Sequence, residues 1–460
     1  MAFAALLLGM LMASLDTNVV VAALPSLGPS LGQPDAVAGV TAAYLLVVAV
    51  ATPLHGSLGD RWGRRVMFVV SVLVFAAGSF ACALAPSMPA LIGFRALQGL
   101  GGSGLIVAAV SAMAELFDRE QMIRRQGWLT AMFAVSSIGG APLGGFLAAG
   151  PGWQWIFLVN PPICLVALEL GANSVPARRA ATPAAKHRGF DVLGATLVAV
   201  GGASIVGLGS SDTLARSPLW APMLVVVALM AMVLLVKVER RVAAPLIPPR
   251  LFADPGLSRS VLATLASGVA LFGSFTFVPL AITAGARVDP STLGLLLLPV
   301  SVGQLAASSG FVVLTRRWPA ITAWGRVGLL MGVVGMLSIA AVPMLGPGVV
   351  RTTVTLLGLA LAGAALGLSM QAYTLVAQAR APIEIVGATT ATVTFTRQIG
   401  GSLGIAVFGW LALLLGESGG LTTVFVLAAA VLLTGVVLAP RSYHDQPRAA
   451  AASAASRAGA

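Results

Sequence analysis

Apolar residues run along this chain in blocks of about 20, separated by short polar stretches, and a helix of about 20 residues is what a bilayer crossing requires. Fourteen such blocks stand out, at 2–25, 38–56, 65–85, 88–112, 126–149, 153–174, 191–210, 217–236, 260–283, 291–314, 321–343, 350–376, 387–415 and 420–440. The pattern predicts an all-α polytopic membrane protein. The first block has no basic leader, and Asp16 interrupts it where the apolar core of a signal peptide would continue, so it reads as an uncleaved span. The two longest polar connectors, 175–190 and 237–259, bracket a pair of spans with almost no internal polar group. The predicted division is six plus two plus six. It comprises an N-terminal six-helix bundle (1–174), a linker with two extra spans and cytoplasmic connectors (175–259), a C-terminal six-helix bundle (260–440) and a disordered cytoplasmic tail (441–460).

Composition agrees with this pattern: of 460 residues 58% are hydrophobic and 9% charged, against about 25% charged in a soluble protein, with a mean hydropathy of +0.97. The net charge of +12 raises nucleic acid as a partner until the basic residues are placed. They crowd into alternate loops, such as Arg61, Arg64 and Arg65 or Arg119, Arg124 and Arg125. The opposite loops hold only Arg216, Arg287 and Arg351, and Arg95 and Arg397 lie within spans. The positive-inside rule then puts both termini in the cytoplasm and explains the basic excess without nucleic acid. Only Lys186 and Lys237 are lysines, an arginine-rich usage that fits a GC-rich bacterial genome. Cys82 and Cys164 sit in apolar spans as small hydrophobes, and with three scattered histidines no metal-ligand spacing arises. Neither Lys186 nor Lys237 stands in a Gly-Lys-Ser/Thr loop for nucleotide, which removes an ATP-driven pump. A membrane enzyme would want clustered His, Asp or Cys, and a channel would want rings of pore-lining groups; the spans supply neither.

The charges inside the spans are the chemically informative residues. Arg95 lies about 12 Å below the outer end of span 4, where an arginine costs about 2.5–3.5 kcal/mol and calls for a wet cavity or a counter-charge. Asp16, the deep carboxylate of span 1, lies at about the same depth, so the two can pair across a cavity, and a buried carboxylate of this kind is a natural proton carrier. Span 5 carries Gly139-Gly140-Ala141-Pro142-Leu143-Gly144-Gly145, whose glycines four apart admit a neighbouring helix while Pro142 favours a kink, a candidate hinge. Span 13 echoes it in Arg397-Gln398-Ile399-Gly400-Gly401-Ser402-Leu403-Gly404. Tyr44, Trp128, Met370 and Tyr373 are candidates for contacting an aromatic substrate. Trp153 and Trp155 fit an interfacial aromatic belt.

Several of these segments resemble the major facilitator superfamily and, within it, the fourteen-span drug:proton antiporters. Gly56-Ser57-Leu58-Gly59-Asp60-Arg61-Trp62-Gly63-Arg64-Arg65 resembles the superfamily's loop between spans 2 and 3, with Gly59 in place of Ala. Arg95-Ala96-Leu97-Gln98-Gly99 is similar to its Arg-x-x-Gln-Gly segment. Leu15-Asp16-Thr17-Asn18 through Leu24-Pro25 looks like the antiporters' first-span signature, with Asn18 where Thr and Val21 where Asn is usual. The glycine-rich segment of span 5 resembles their Gly-Pro-x-Leu-Gly-Gly, its Pro one place late. Trp153-Gln154-Trp155-Ile156-Phe157-Leu158-Val159-Asn160-Pro161-Pro162 looks like their start of span 6.

The resemblance implies a monomeric proton-coupled exporter of small lipophilic drugs or antibiotics, without cofactor, driven by the proton gradient across the bilayer. Asp16 and Arg95 would couple proton and substrate. Asn18, Gln98, Tyr44, Tyr373 and Arg397 would line the substrate cavity. Gly56, Asp60, Arg61, Gly63, Arg64 and Arg65 would form a conformational latch, and Gly140, Pro142, Gly144, Gly145, Gly400 and Gly404 would serve packing or hinge motion. The alternatives are a dedicated exporter of one endogenous metabolite and a gradient-indifferent facilitator.

Overall fold

The computed structural model describes residues 1–33, 36–116, 119–175, 191–208, 219–242, 254–283, 289–318, 320–346, 348–380 and 386–440. The tail 441–460 and most of the two long connectors lie outside the described residues. The first six predicted spans are α1 (Ala2–Ser30), α2 (Val37–Trp62), α3 (Arg64–Ala83), α4 (Met88–Leu116), α5 (Arg119–Ala149) and a broken pair, α6 (Gln154–Leu158) with α7 (Asn160–Ala172). The extra pair is α8 (Val192–Leu208) and α9 (Trp220–Glu239). The ninth span is α10 (Pro255–Ser267), a π-turn at Gly268–Phe272, α11 (Gly273–Phe275) and α12 (Val278–Thr283). There follow α13 (Pro290–Leu296) with α14 (Leu298–Arg317), α15 (Ile321–Ala341), α16 (Val349–Arg380), α17 (Val386–Leu415) and α18 (Glu417–Leu438). Among the described residues, 11 of these segments are long and apolar enough to cross a membrane; Val37–Thr52, Val135–Ala149 and Val192–Ser204 are shorter apolar helices at the other three predicted positions.

Two helix ends run past their expected bounds. The segment from Gly56 is no open loop, because α2 stays helical to Trp62 and turns only at Gly63, whose φ of +93° favours glycine. The helix α1 continues through Pro25 to Ser30. The helix α5 is uninterrupted at Pro142, whereas breaks fall at Val159, at the π-turn and at Leu297.

Small residues set how closely the helices approach, since lipid gives no hydrophobic drive for helix association and backbone contact must supply it. A Cβ on Gly140 would overlap Asn18, and one on Gly144 would overlap the Val19 carbonyl, so α5 lies backbone to backbone on α1. Gly400 and Gly404 meet Leu265 and Val269 in the same way, seating α17 on the ninth span. A second device also occurs twice. Arg65, opening α3, donates to the carbonyls of Val175 (2.8 Å) and Asn173 (2.9 Å) past α7; Arg326, in the first turns of α15, donates to Pro440 (2.7 Å) and Ala439 (3.2 Å) past α18. Each arginine satisfies the carbonyl of a helix C-cap, Asn173 or Ala439, and one more just beyond it. The packing of α3 on α4 and of α2 on α4 likewise recurs as α15 on α16 and α14 on α16.

The N- and C-terminal halves meet through α2 against α17 and α5 against α13. Ser402 donates to the Ala42 carbonyl at 3.2 Å, Ser301 donates to the Ser137 carbonyl, and Gly145 abuts Pro290 and Gly294. The extra pair α8–α9 packs on α2 and α17 through Val198 and Leu235 against Ala49 and Phe395. Elsewhere α9 presents Val226, Leu229, Met230 and Val233 outward, a surface suited to lipid.

Candidate functional site

The residues Arg95 and Gln98 are three apart on α4 and so share a face. Glycines bring the other helices against that face: Gly78 of α3 lies on the Gln98 backbone, and Gly99 and Gly102 of α4 lie on Tyr44 of α2. Asp16 of α1 meets Arg95 here, with Arg95 Nη1 2.5 Å from Asp16 Oδ2. Asp16 is 3% exposed and Arg95 0%. Stripping two charges of water costs several kcal/mol each, which only good geometry and further hydrogen bonds offset. Both are present. Gln98 Nε2 donates to Asp16 Oδ1 at 2.8 Å and to Ser79 Oγ at 2.6 Å, while its Oε1 accepts from Arg95 Nη1 at 2.6 Å. Asn160 Nδ2 donates to Asp16 Oδ1 at 3.3 Å and to Ser79 Oγ at 3.0 Å. Arg95 Nε reaches the Val40 carbonyl at 3.4 Å, and its guanidinium carbon lies 4.2 Å from the centre of the Tyr44 ring and 5.8 Å from that of Phe157. Cation–π contact of this kind adds about 2 kcal/mol where water is excluded. The Trp153 ring meets Phe157 edge-on, so Trp153 is a buried support for the cluster, and Trp155 alone is exposed as a belt residue would be.

A cavity of ≈ 280 Å³ lies beside this cluster, between the two halves. Its wall includes Asn18 and Val21 of α1, Tyr44 of α2, Phe272 of the π-turn, Met370 of α16 and Arg397 of α17. The Asp16–Arg95 pair is not on that wall. Tyr44 stands between the two, one ring face on Arg95 and the side chain on the cavity, with its hydroxyl donating to the Ala13 carbonyl at 3.2 Å. The expected pairing of Asp16 with Arg95 across a cavity is therefore replaced by direct contact inside the N-terminal half.

The structure divides the predicted residues. Asn18, Tyr44 and Arg397 line the cavity. Gln98 does not, because one turn from Arg95 its amide is drawn fully into the Asp16 cluster. Tyr373 does not either: it is buried against Gly325, joining α16 to α15. The side chains of Gly56, Asp60, Arg61 and Trp128 lie outside the described residues. Of the expected latch, Gly63 makes the turn and Arg65 holds the end of α7.

Sequence reasoning missed Asn160 and Ser79 around the carboxylate, and Thr41, Gln304 and Gln398 on the cavity. Their signal was a polar side chain inside an apolar block, weaker than a charge but of the same kind. Among the described residues no group of three His, Cys, Asp or Glu is gathered as a metal would need.

The family model of the Major Facilitator Superfamily matches residues 6–405 of the chain. A transporter of that type from Mycobacterium tuberculosis, whose name assigns it no substrate, is 33% identical over 423 residues, covering 89% of this chain and 59% of its own length. This chain thus spans less than two thirds of that relative. Multidrug transporter protein MdtP of Bacillus subtilis is 29% identical, covering 91% of this chain and 76% of its own, and a multidrug resistance protein B homolog of Mycobacterium tuberculosis is 33% identical with 88% and 74% covered. A crystal structure of a POT peptide transporter with sulfate superposes with a TM-score of 0.69 at 16% identity, covering 95% of this chain and 93% of that one. At that identity the likeness concerns the fold.

The chain belongs to the major facilitator superfamily, and its multidrug-named relatives agree with the resemblance to the drug:proton antiporters within it. It is a multi-pass protein of the bacterial inner membrane.

Proposed function

We propose that the chain is a proton-coupled secondary active exporter of lipophilic drugs or antibiotics, working by alternating access between bundles formed by 1–174 and 260–440. One observation carries the reading: a carboxylate buried in an ion pair sits one side chain, Tyr44, away from a cavity between the two halves. With the cavity open outward, Asp16 takes a proton and the substrate leaves. With it open inward, Asp16 loses the proton, re-forms its pair with Arg95, and substrate enters. The pair ties α1 to α4, so its making and breaking alters the position of Asn18, which lines the cavity two residues from Asp16. A membrane potential of 100 mV supplies about 2.3 kcal/mol per charge moved, enough to drive accumulation against a gradient. The arginine-rich loops support cytoplasmic termini, and the names of the relatives support drugs as cargo. The working unit is a monomer with the proton gradient as its energy source and no cofactor.

The test is proton movement in proteoliposomes carrying a pH gradient, with a panel of lipophilic drugs added to wild type and Asp16→Asn. Substrate-induced proton release that disappears in the variant is expected. Equal exchange in Asp16→Asn refutes the role of Asp16, and transport indifferent to the gradient refutes proton coupling and leaves a facilitator. Transport of a single compound from the panel refutes drug breadth in favour of a dedicated metabolite exporter.

A further inference from the structure

Arg397 is a cation without a counter-ion. It is 7% exposed, it lines the cavity, and among the described residues no carboxylate pairs with it. Its Nη1 has no hydrogen-bond partner. A buried guanidinium without a counter-charge is costly; Arg95, although its Nη2 also lacks a partner, has the Asp16 carboxylate with amide and carbonyl acceptors and an aromatic ring around it. Two more cavity-lining polar atoms lack partners, Gln398 Oε1 beside Arg397 and Thr41 Oγ1 on α2. No acidic residue lies among those described on the cavity wall, and the Asp16–Arg95 pair behind Tyr44 is neutral when Asp16 is ionised. Among the described residues, Arg397 alone sets the charge of the cavity in that state. The rest of the wall is uncharged, mixing hydroxyl and amide groups such as Ser301, Gln304 and Thr394 with an apolar stretch of Phe272 and Phe275 from the π-turned span and Leu45 from α2. The π-turn itself crosses the Arg397 backbone at Gly268, so the irregular helix, the aromatic wall and the free cation coincide. Single π-turns of this kind are common at functional sites.

We infer that the cavity is built for an amphipathic organic anion, its carboxylate or comparable acidic group held by Arg397 with Thr41 as a donor and its aromatic or alicyclic body against Phe272 and Phe275. The planar guanidinium offers two parallel N–H bonds to a carboxylate, and water exclusion strengthens them. At ≈ 280 Å³ the cavity is at the small end of ligand pockets, sized for one or two fused rings rather than an extended drug. This rests on the transporter reading above and names its substrate class, opposite in charge to the lipophilic cations common among drug-export assays.

The experiment is calorimetric titration of the full chain in lipid nanodiscs, with empty nanodiscs subtracted, using three ligands of one body: 1-naphthylacetate, 1-naphthylmethylammonium and neutral 1-naphthaleneethanol. Binding needs no gradient. The anion is expected to bind at least tenfold tighter than the other two; Arg397→Gln loses at least tenfold of that affinity, Arg397→Lys keeps part of it, and Thr41→Val loses a few-fold. Equal or tighter binding of the cation overturns the inference on the wild-type protein alone, whether or not any variant folds. Unchanged anion affinity in an Arg397→Gln protein with a wild-type unfolding curve overturns it too. Loss of proton coupling in the proteoliposome assay with anion binding intact counts against the exporter reading and not against this one.

Discussion

Asn160 holds the Asp16 carboxylate from a helix that neither α1 nor α4 belongs to, and its removal isolates the cluster's function from the cavity's. Asn160→Ala deletes one donor to Asp16 and one to Ser79 without touching the cavity wall. The expected loss is about 1–3 kcal/mol, read as a lower unfolding temperature in detergent, with slower proton-driven transport but unchanged ligand affinity in nanodiscs. Altered affinity would mean that the cluster reaches the cavity through more than Tyr44. Asp16 and Arg95 were legible in the sequence because each is a charge in an apolar block and the two share a depth, whereas Gln98, expected on the cavity, joins their cluster instead. Asn160 was not, because an Asn followed by two prolines reads as a helix start, and only the packing of α7 on α1 turns its amide to Asp16. The free state of Arg397 was equally hidden, since a sequence shows a charge in a span but not the partners it lacks.

Helices in this molecule are positioned by glycines, and the glycines are not equivalent. Gly144→Val and Gly404→Val drive side chains into the Val19 and Val269 carbonyls, and each is expected to cost about 1–3 kcal/mol or more and to lower the yield of folded protein. Gly139→Ala, with nothing within 4 Å of the new Cβ, is expected to be neutral or slightly stabilising. Unfolding temperatures of the three purified variants decide it; a loss in Gly139→Ala equal to the other two would mean that close contact with the neighbouring backbone does not set the cost. The four-residue spacing made Gly140, Gly144, Gly400 and Gly404 readable beforehand, because that spacing puts them on one helix stripe. The helix α5 continues through Pro142, and further irregular points, which the spacing did not indicate, lie at Val159, Gly268–Phe272 and Leu297. Gly56 and Gly59 similarly suggested a loop, but each costs a helix only about 1 kcal/mol, and packing of α2 on α4 overrides that preference as far as Trp62.

The halves of the whole molecule touch at Gly145 against Pro290 and Gly294, at Ser137 against Ser301 and at Ala42 against Ser402. Gly145→Leu should wedge α5 from α13 and favour the conformation open at that end. In a background with Cys82 and Cys164 replaced, a cysteine at Val21 on the cavity wall is then expected to react severalfold faster with a membrane-impermeant maleimide added outside. An unchanged rate would mean that this contact does not close the outer path. The apolar blocks, the uneven arginine distribution and the two intramembrane charges were all present in the order of residues, because bilayer thickness and the cost of burying charge act on a chain directly, whatever its neighbours. Which charge meets which was decided only in three dimensions. Asp16 and Arg95 are 79 residues apart, and their direct contact behind Tyr44, like the isolation of Arg397 on the far wall, follows from which helix faces the glycines allow to meet.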